Sequence, residues 1–437
     1  MPFISENLSK SDFGIIGLVT TVGYAAGAFT TLGLDVILAN ELSKNEKSFK
    51  NIWSEVYGLL IVWSFPFALI VSSVFAMILP DNLSGKEFWL HLIVILSPIV
   101  FLNTSKTMGV VYFQFKERAK QIALRNTVFG VFNIVLTFVF VALLDLSYFG
   151  WLLALALTSS VHNFSYFLFV MLRMGIRPRL RLGLQEYKRM LTISLPVIPH
   201  YFGNYILESS DQLIMKTSRV SLDDIGGYHI ASIMGGYIKQ LGMSIGKALT
   251  PIIYSEQKLD SKSHLKALIL CVQVFMIVVA FNLSLWIKEI IMLLFRVEKI
   301  SDVYSVAVLI VMAYSYRPLY SLYSSLEFYR EDTISITKWT IFMGSLNIIM
   351  NILLIPIYGY GVAALTTYIS YLILGVVPLS LKKEYRILAL TGAVLILVST
   401  TIAFVLIDVS LYLRMATSAI SFTSLALTYF VFYKFTK

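Results

Sequence analysis

The sequence has few of the residues that build disulfide frameworks, metal clusters and soluble surfaces. Among its 437 residues there is one cysteine, Cys271, and there are five histidines. A single cysteine excludes an internal disulfide, and the histidines show no metal-ligand spacing, so no metal site is predicted. Charged residues make up 14% of the chain, whereas a soluble domain has about 25%. Residues 1–13 lack a basic stretch followed by an apolar one, so no cleavable signal peptide is predicted.

Long apolar stretches occupy most of the chain. Apolar residues make up 57% of it, and the mean hydropathy is +0.78. A helix that crosses the hydrocarbon core needs about 20 mostly apolar residues, and these stretches are too long for the strands of a membrane barrel. The sequence therefore predicts an all-α polytopic membrane protein with thirteen spans, near residues 13–38, 52–79, 88–113, 122–144, 150–172, 190–214, 226–254, 265–287, 303–328, 334–356, 360–381, 386–408 and 410–433.

The basic residues of the connections alternate between the two sides of the predicted membrane. Of the 35 lysines and arginines, 23 lie beside one set of alternate connections and 8 beside the other. Because cytoplasmic loops are rich in lysine and arginine, this pattern predicts a cytoplasmic C-terminus. The same topology explains most of the net charge of +10, so no nucleic-acid partner is predicted.

Four basic residues fall inside the predicted spans: Lys106, Lys239, Lys247 and Arg317. A lysine or arginine at a helix centre costs about 2.5–3.5 kcal/mol and usually faces a polar interior. The alternative is snorkelling, in which a long apolar stem carries the charge to the interface. Lys239 and Arg317 lie near the middle of their spans, which favours an interior cavity. Lys247 lies near the cytoplasmic end, where snorkelling is the better explanation, and Lys106 fits either interpretation.

Small and aromatic residues accompany two of these cations. Lys239 shares one helix face with small residues that recur at steps of three and four, namely Ser232, Gly235, Gly242 and Gly246. Close helix packing explains such a face, but it has no use for a lysine. Arg317 lies among tyrosines that include Tyr320. A guanidinium forks onto phosphate oxygens and aromatic rings can stack on sugars, although an aromatic packing face is the alternative.

A third polar stripe lies in the predicted span 190–214. Tyr201, Asn204, Glu208 and Asp211 recur at helical spacing, and Pro196 and Pro199 interrupt the helix before them. Such breaks are tolerated in the membrane where neighbouring helices or water satisfy the freed carbonyls. The two carboxylates are candidates for coupling to protons or sodium ions. They lie near the outer interface, so simple solvation is the alternative.

The chain contains a weak internal repeat. Asp12–Leu42 resembles Asp224–Tyr254 in pattern, with an offset of 212 residues. Transporters are often built from repeated halves, although chance similarity between helices is the alternative. The same offset relates Lys106 to the position next to Arg317, and Asp35 to Lys247. It also predicts that most of a first helix is missing here and that an intact form has fourteen spans.

Several phrases resemble polysaccharide flippases of the O-antigen (Wzx) type, within the multidrug/oligosaccharidyl-lipid/polysaccharide exporter superfamily. The phrase beginning Asp12-Phe13-Gly14, with Thr31 to Asp35 after it, is similar to their second helix. The opening of their second half is similar to the segments Ser194 to His200, Ser210 to Met215 and Gly227-Tyr228. The phrase Arg317-Pro318-Leu319-Tyr320 is also similar. The motifs are loose, and the resemblance covers nearly the whole chain.

The resemblance implies two pseudo-symmetric six-helix lobes around a central cavity and about two extra C-terminal helices. We expect an N-terminal lobe at 1–189, a C-terminal lobe at 190–381 and the additional helices at 382–437. The implied function is alternating-access transport of undecaprenyl-pyrophosphate-linked oligosaccharide across the bacterial cytoplasmic (inner) membrane. A polysaccharide polymerase and a chain-length regulator are the implied protein partners, and no cofactor beyond a coupling ion is expected.

The basic residues suit such a substrate, because fixed cations offset the desolvation of a pyrophosphate. We expect Lys239 and Arg317 to hold the pyrophosphate with help from Lys106, and Tyr320 and Asn204 to contact the sugars. Asp35 and Lys247 are expected to form an ion pair that closes the cytoplasmic mouth.

Two other classes of function remain. A multidrug cation antiporter needs buried carboxylates, for which Glu208 and Asp211 are candidates, but the charges at mid-membrane are basic. A membrane polymerase or ligase typically carries a large outer loop, whereas the outer loops here are short, and no nucleophile–base pair is visible. No catalytic residue is therefore predicted, and no phosphate-binding P-loop is present in the sequence.

Overall fold

The computed structural model describes residues 2–44, 49–80, 83–100, 102–258, 262–295, 302–330 and 332–436. Throughout these ranges the secondary structure is helical, with short turns between helices and no strand. The chain divides into two compact units, Met1–Tyr205 and Ile206–Lys437. The all-α prediction is confirmed, whereas the division into lobes at 189 and 381, with its pseudo-symmetry, stays a prediction.

The first unit begins with a short helix and continues through a series of long ones. Two of the long helices end in a π-helical turn, at Phe138–Leu143 and Phe169–Arg173. The helices are α1 (Pro2–Ser5), α2 (Lys10–Gly27), α3 (Asp35–Lys44), α4 (Phe49–Ala76), α5 (Gly85–Val100), α6 (Asn103–Phe115), α7 (Ala119–Thr137), α8 (Ser147–Leu168) and α9 (Leu184–Ser194), and α10 (Ile198–Thr217) runs on into the second unit.

The second unit continues with nine further helices. Its 3₁₀ turn at Tyr314–Tyr316 joins two helices into one continuous span. The helices are α11 (Leu222–Lys258), α12 (Lys262–Leu285), α13 (Ile287–Leu294), α14 (Val303–Ala313), α15 (Arg317–Tyr329), α16 (Thr333–Tyr358), α17 (Gly361–Ser380), α18 (Arg386–Leu406) and α19 (Leu411–Thr436).

Nine segments in the described part of the chain are long and apolar enough to cross a membrane. Some of them carry an apolar surface outward instead of burying it. On α7, for example, Val131 is 57% exposed and Ile134 is 63% exposed. A soluble protein rarely exposes such a continuous apolar face, and in a bilayer the acyl chains cover it. The multi-pass prediction is therefore confirmed. The spans predicted at 13–38, 190–214, 226–254 and 410–433 are not among these nine segments of the described residues and stay predictions.

Two of the predicted spans are broken helices. The span predicted at 13–38 consists of α2 and α3, with a turn in which Leu32 and Gly33 have φ angles of 50° and 69°. A Cβ at Gly33 would lie 2.3 Å from the carbonyl oxygen of Ser194, so both the angle and the close approach require glycine. The span predicted at 88–113 is divided between α5 and α6, where Leu102 has a φ of 55°. Neither of these two breaks was predicted, whereas the break that was predicted, at Pro196, is confirmed by a 3₁₀ turn over Leu195–Val197.

The last two helices pack within the second unit, against α12 and α17. Polar side chains join α12 to α19: Asn282 Nδ2 donates to Ser421 Oγ over 2.8 Å, and Trp286 Nε1 donates to Ser418 Oγ over 3.1 Å. Where α19 begins, Arg414 Nη2 lies 2.6 Å from Glu289 Oε1 of α13. These bonds fix the register of α19 in a region where apolar side chains alone specify register weakly.

An aromatic and aliphatic core lies around α3, α4 and α6 of the first unit. Trp53 and Tyr57 are almost completely buried there. Trp53 Nε1 donates to the Leu38 carbonyl over 3.0 Å, and the Tyr57 and Ser105 hydroxyls are 2.6 Å apart. The polar ends of the two large rings are thus satisfied while their apolar bodies pack, as buried tryptophan and tyrosine require.

Glu55 fixes the extended segment that connects α8 to α9. Its Oε2 accepts hydrogen bonds from the Arg181 amide at 2.7 Å, the Leu182 amide at 3.3 Å and the Tyr187 hydroxyl at 2.7 Å. Burial, and then the bond to this carboxylate, raises the pKa of Tyr187 to about 12, so its hydroxyl remains a donor at neutral pH. One buried carboxylate therefore satisfies three donors and holds the segment on α4.

The segment lies against the backbone of α4 at Gly58. A Cβ at Gly58 would lie 2.0 Å from the Arg179 carbonyl oxygen. We expect Gly58→Ala to displace the segment and to lower the free energy of unfolding by about 1–3 kcal/mol, as overpacking does. Thermal unfolding in detergent measures the change. Gly130→Ala is the matched control, because nothing lies within 4 Å of that position. Equal unfolding midpoints for the two variants would contradict the close packing of this segment on α4.

Candidate functional site

A buried carboxylate forms the most connected polar site of the second unit. Asp211 of α10 is 3% exposed. Its Oδ1 accepts a hydrogen bond from Asn351 Nδ2 at 2.7 Å, and its Oδ2 accepts one from Thr367 Oγ1 at 2.9 Å and another from the Tyr228 hydroxyl. The three donors come from α16, α17 and α11. The carboxylate therefore ties four helices together.

A second layer of hydrogen bonds orients these donors. Asn351 Oδ1 accepts from Thr366 Oγ1, and Asn351 Nδ2 also donates to Asn347 Oδ1 at 3.2 Å. Asn347 Nδ2 donates in turn to Ser370 Oγ over 3.3 Å. All of these side chains are buried. A fully satisfied network of this kind is rigid and holds its members in one arrangement.

The Asp211 site has no compensating cation among the described residues, since none of their ion pairs includes it. Hydrogen bonds to a carboxylate stabilise its charge, but burial of an unpaired charge remains costly. The carboxylate and the amide and hydroxyl oxygens around it can accept a proton or a small cation. The alternative from the sequence, that Asp211 is simply solvated, is wrong because the side chain is buried by α11, α16 and α17.

Arg317 begins α15 and is half-buried in the second unit. Its guanidinium carbon lies 5.7 Å from the ring centroid of Tyr314 and 5.9 Å from that of Tyr371. These two rings are edge to face, with centroids 5.0 Å apart. Two aromatic faces thus position the guanidinium by cation–π attraction. Tyr371 belongs to α17, so the sequence alone did not place it beside Arg317.

The small residues that share a face with Lys239 are a packing surface. A Cβ at Gly235 would lie 2.4 Å from Ile310 Cγ2, one at Gly242 would lie 3.1 Å from Arg317 Cδ, and one at Gly246 would lie 2.9 Å from Ser321 Oγ. The expectation of an open basic face at these glycines is wrong, because α14 and α15 cover them. Gly242 nevertheless lets α11 approach the Arg317 side chain. Lys239 itself is half-buried on the same face.

The tyrosines around Arg317 differ in their surroundings. Tyr316 and Tyr323 are fully buried, and their hydroxyls bond to Tyr368 over 3.2 Å and to Ser335 over 2.7 Å. They are packing residues, as the alternative interpretation of the sequence held. Tyr320, the predicted sugar contact, is half-buried, and its hydroxyl is 3.1 Å from Thr340 Oγ1.

Lys106 lies on α6 in the first unit and is half-buried. It lies one turn before Gly109, where a Cβ would be 2.2 Å from Tyr166 Cδ1. It is neither in the interior core of that unit nor fully exposed, which fits both interpretations drawn from the sequence.

The other predicted site residues divide into two groups. Asp35 begins α3 and accepts a hydrogen bond from Thr31 Oγ1 at 3.1 Å, whereas Lys247 is an exposed residue of α11 in the other unit. Their ion pair stays a prediction. The side chains of Asn204 and Glu208 lie outside the described residues.

Sequence reasoning missed the amide and hydroxyl residues that surround Asp211. Asn347 and Asn351 recur four residues apart inside an apolar span, and Thr366, Thr367 and Ser370 share one stretch of the next span. Polar residues at such spacing lie on one helix face. That signal is visible in the sequence, but only the fold shows that the face meets Asp211.

The hydrogen bond from Thr367 to Asp211 can be weighed by a double-mutant cycle. We expect Thr367→Val to lower the free energy of unfolding by about 1.5–3 kcal/mol, the value of a hydrogen bond to a charged group. In an Asp211→Asn background the same change should cost clearly less, because the acceptor is neutral. Thermal unfolding of the four proteins in detergent measures both. Equal costs in the two backgrounds would show that Thr367 acts through packing alone.

Solved structures with a similar fold are membrane transporters. An inward-facing multidrug resistance MATE family transporter of the MOP superfamily has a TM-score of 0.68 at 13% identity, over 92% of this chain and 94% of that one. Lipid II flippase MurJ in an inward closed conformation has a TM-score of 0.70 at 15% identity, over 98% of this chain and 91% of that one. At such low identity these likenesses show the fold alone. Comparison with curated proteins gave no significant match.

The sequence itself matches a family of polysaccharide-pathway proteins. The profile of the family described as "Polysaccharide biosynthesis protein" matches residues 1–257, which is more than half of the chain. The match extends from the first helix through α11 and so includes Asp211 and Lys239. The predicted superfamily is confirmed by this match together with the fold. The chain belongs to the polysaccharide biosynthesis protein family and has the fold of MOP superfamily transporters.

Proposed function

We propose that this chain is a flippase that moves polyprenyl-pyrophosphate-linked oligosaccharide repeat units across the bacterial cytoplasmic membrane by alternating access. The glycan is that of O-antigen or a similar surface polysaccharide. Membership of a polysaccharide biosynthesis family supports the glycan, and the fold shared with a lipid II flippase supports a lipid-linked substrate. The C-terminus lies in the cytoplasm, and the polymerase and chain-length regulator of the same pathway are the expected partners.

The position of Arg317 within a membrane-spanning segment is the observation that supports this proposal. A guanidinium inside a membrane span costs several kcal/mol unless it serves an interior function. Here the guanidinium carbon of Arg317 lies 5.7 Å from the ring centroid of Tyr314 and 5.9 Å from that of Tyr371, so cation–π attraction to both rings orients it. A guanidinium binds two phosphate oxygens at once. A pyrophosphate that leaves interfacial water therefore finds a fixed partner for its charge.

The remaining predicted residues have supporting roles. Lys239 lies on α11 one turn from Gly242, which contacts Arg317, and it adds a second positive charge for the pyrophosphate. Lys106 assists from the first unit, Tyr320 and Asn204 contact the sugars, and no residue has a catalytic role. Asp35 and Lys247 close the cytoplasmic mouth as an ion pair.

Asp211 couples transport to an ion gradient, together with Glu208. The buried carboxylate joins its own helix, α10, to α11, α16 and α17. Its hydrogen bonds change when a proton or sodium ion neutralises it. Such a change biases helix packing, because packed interfaces have discrete arrangements. The coupling ion thereby acts on α11, the helix that carries Lys239 and packs on Arg317.

The phosphate-binding residues can be tested in a bacterium that lacks its own flippase. We expect the chain to restore long-chain surface polysaccharide in a host that makes the matching repeat unit, and Lys239→Ala combined with Arg317→Ala to abolish it. Arg317→Lys should restore little, because a lysine cannot fork. The surface polysaccharide profile on a gel measures this. The control is Arg177→Gln, an exposed loop arginine. Intact transport in the double variant would contradict phosphate binding at this site.

Ion coupling is tested in membrane vesicles with an imposed proton or sodium gradient. We expect Asp211→Asn to remove the dependence of transport on the gradient, since its side chain keeps the shape but has no charge. Asp145→Asn is the matched control, because Asp145 is an exposed residue with a φ of 51°, which asparagine adopts readily. Transport by Asp211→Asn that still follows the gradient would exclude this carboxylate as the coupling group.

A multidrug cation antiporter of the same fold is the second candidate. The buried Asp211 favours it, because such a transporter needs a carboxylate that exchanges a proton or sodium ion for a cation. Efflux of a fluorescent organic cation from loaded cells distinguishes the two functions. Efflux that requires Asp211 but not Arg317 would favour the antiporter.

A further inference from the structure

Five polar side chains lie close together on α6, α7 and α8 of the first unit. Arg125 Nη1 donates to Ser165 Oγ over 2.6 Å, and its guanidinium carbon lies 4.7 Å from the ring centroid of Tyr166. The rings of His162 and Tyr166 are 5.3 Å apart. Lys106 lies one turn before Gly109, the residue of α6 against which the Tyr166 ring packs. The cluster thus joins two cations to two neutral side chains that can donate hydrogen bonds.

Two buried polar atoms of this cluster have no hydrogen-bond partner in the described part of the chain. They are Nε2 of His162 and the hydroxyl of Tyr166, and the two residues are 7% and 0% exposed. An unsatisfied buried donor costs about 1–3 kcal/mol, and a buried tyrosine hydroxyl usually finds a partner. A ligand with hydrogen-bond acceptors would satisfy both atoms.

The cluster also has an excess of positive charge. Among the described residues, no carboxylate forms an ion pair with Lys106 or Arg125. Both side chains are half-buried within a membrane-spanning unit. Burial of a cation without a counter-charge is costly in a medium of low dielectric constant. A bound anion offsets that cost.

The packing around the cluster holds its rings in place. A Cβ at Gly109 would lie 2.2 Å from Tyr166 Cδ1, so the ring occupies space that only a glycine on α6 provides. Arg125 covers the other face of the ring. His162 stacks on Phe129 with centroids 4.4 Å apart. The hydroxyl and the imidazole are thus presented by rigid neighbours, as a preformed binding site requires.

We propose that Lys106, Arg125, His162 and Tyr166 form a phosphate-binding site in the first unit. The guanidinium and the ammonium group bind phosphate oxygens, and the Tyr166 hydroxyl and His162 Nε2–H donate to the same group. Because Lys106 and Arg125 are half-buried, the anion meets them first and reaches the two buried donors as Arg125 turns from the Tyr166 ring toward it.

Arg125 lies roughly 9 Å along the helix from the start of α7, at the end that the loop charges assign to the cytoplasm. The phosphate therefore comes from the cytoplasmic leaflet. It belongs either to the diphosphate of a lipid-linked glycan or to the headgroup of an anionic phospholipid. The inference rests on the proposed function only for the first of these sources. The site shares Lys106 with the proposed function, whereas Arg125, His162 and Tyr166 have no role there.

The test uses the full chain in neutral detergent, with inorganic pyrophosphate as the soluble probe. A ligand that binds only the folded state stabilises it by RT ln(1 + [L]/Kd), so the unfolding midpoint rises with ligand concentration. Arg317→Gln is the background, so that binding at the proposed site in the second unit does not contribute. We expect pyrophosphate to stabilise this protein, and Tyr166→Phe to weaken the affinity by about tenfold, the effect of one lost hydrogen bond to a charged group.

Matched variants separate binding from folding. Tyr166→Phe keeps the ring between Gly109 and Arg125, so its midpoint without ligand should be at least that of the background protein. Arg125→Gln should reduce the affinity by more than tenfold, whereas Lys120→Gln, at an exposed position of the same helix, should leave it unchanged. A weakened response in Tyr166→Phe alone suffices as support if Arg125→Gln fails to fold.

Native mass spectrometry then identifies the source of the phosphate, with farnesyl diphosphate, phosphatidylglycerol and phosphatidylcholine as probes. Retention of either anionic lipid that is lost in Tyr166→Phe supports the site and names its ligand. Equal pyrophosphate affinity with and without Tyr166→Phe would overturn the site. Loss of all binding in Arg317→Gln would also overturn it while leaving the proposed function intact. If transport failed while pyrophosphate binding was preserved, the proposed function would be wrong and the site would stand.

Discussion

The bilayer core contains no water, so each polar group inside it must be satisfied by another part of the protein. Much of the polar chemistry of this chain follows from that constraint. Asp211 receives hydrogen bonds from three helices, and Arg317 lies beside two aromatic rings. The outward face of α7 carries apolar side chains and so presents no unsatisfied polar side chain to the lipid. Asp211 and Arg317 are retained inside the bilayer core because each has partners on neighbouring helices.

The two charged sites of the second unit are joined through α11. This helix supplies Tyr228 to Asp211, and fourteen residues later Gly242 lies against the Arg317 side chain. A displacement of α11 at one of these contacts therefore also moves the helix at the other contact. The arrangement offers a physical link between an ion and an anionic substrate, since both interactions depend on the position of one rigid element.

Much of this fold could be predicted from the sequence, and the exceptions have identifiable causes. Apolar stretches and loop charges predicted the helices, and Pro196 predicted the break before α10, because these signals are local. The break between α2 and α3 was missed, since Gly33 is required by a contact with Ser194, which lies far away in the chain. Asp211 was identified as a candidate, but Asn351 and Thr367 were not, because only the packing of α16 and α17 brings them together. The face around Lys239 looked like a cavity wall because glycine spacing is the same for a cavity and for a helix contact.

The clamp at Glu55 has a consequence for the order in which the chain acquires its structure. The residues that it joins are separated by 126 positions, and α5 to α8 lie between them. During synthesis, Glu55 therefore leaves the ribosome long before its partners at Arg181 and Leu182 exist. Contacts of such large sequence separation form late, because the loop must close first. Until then the carboxylate stays hydrated or protonated, and completion of the first unit coincides with its burial.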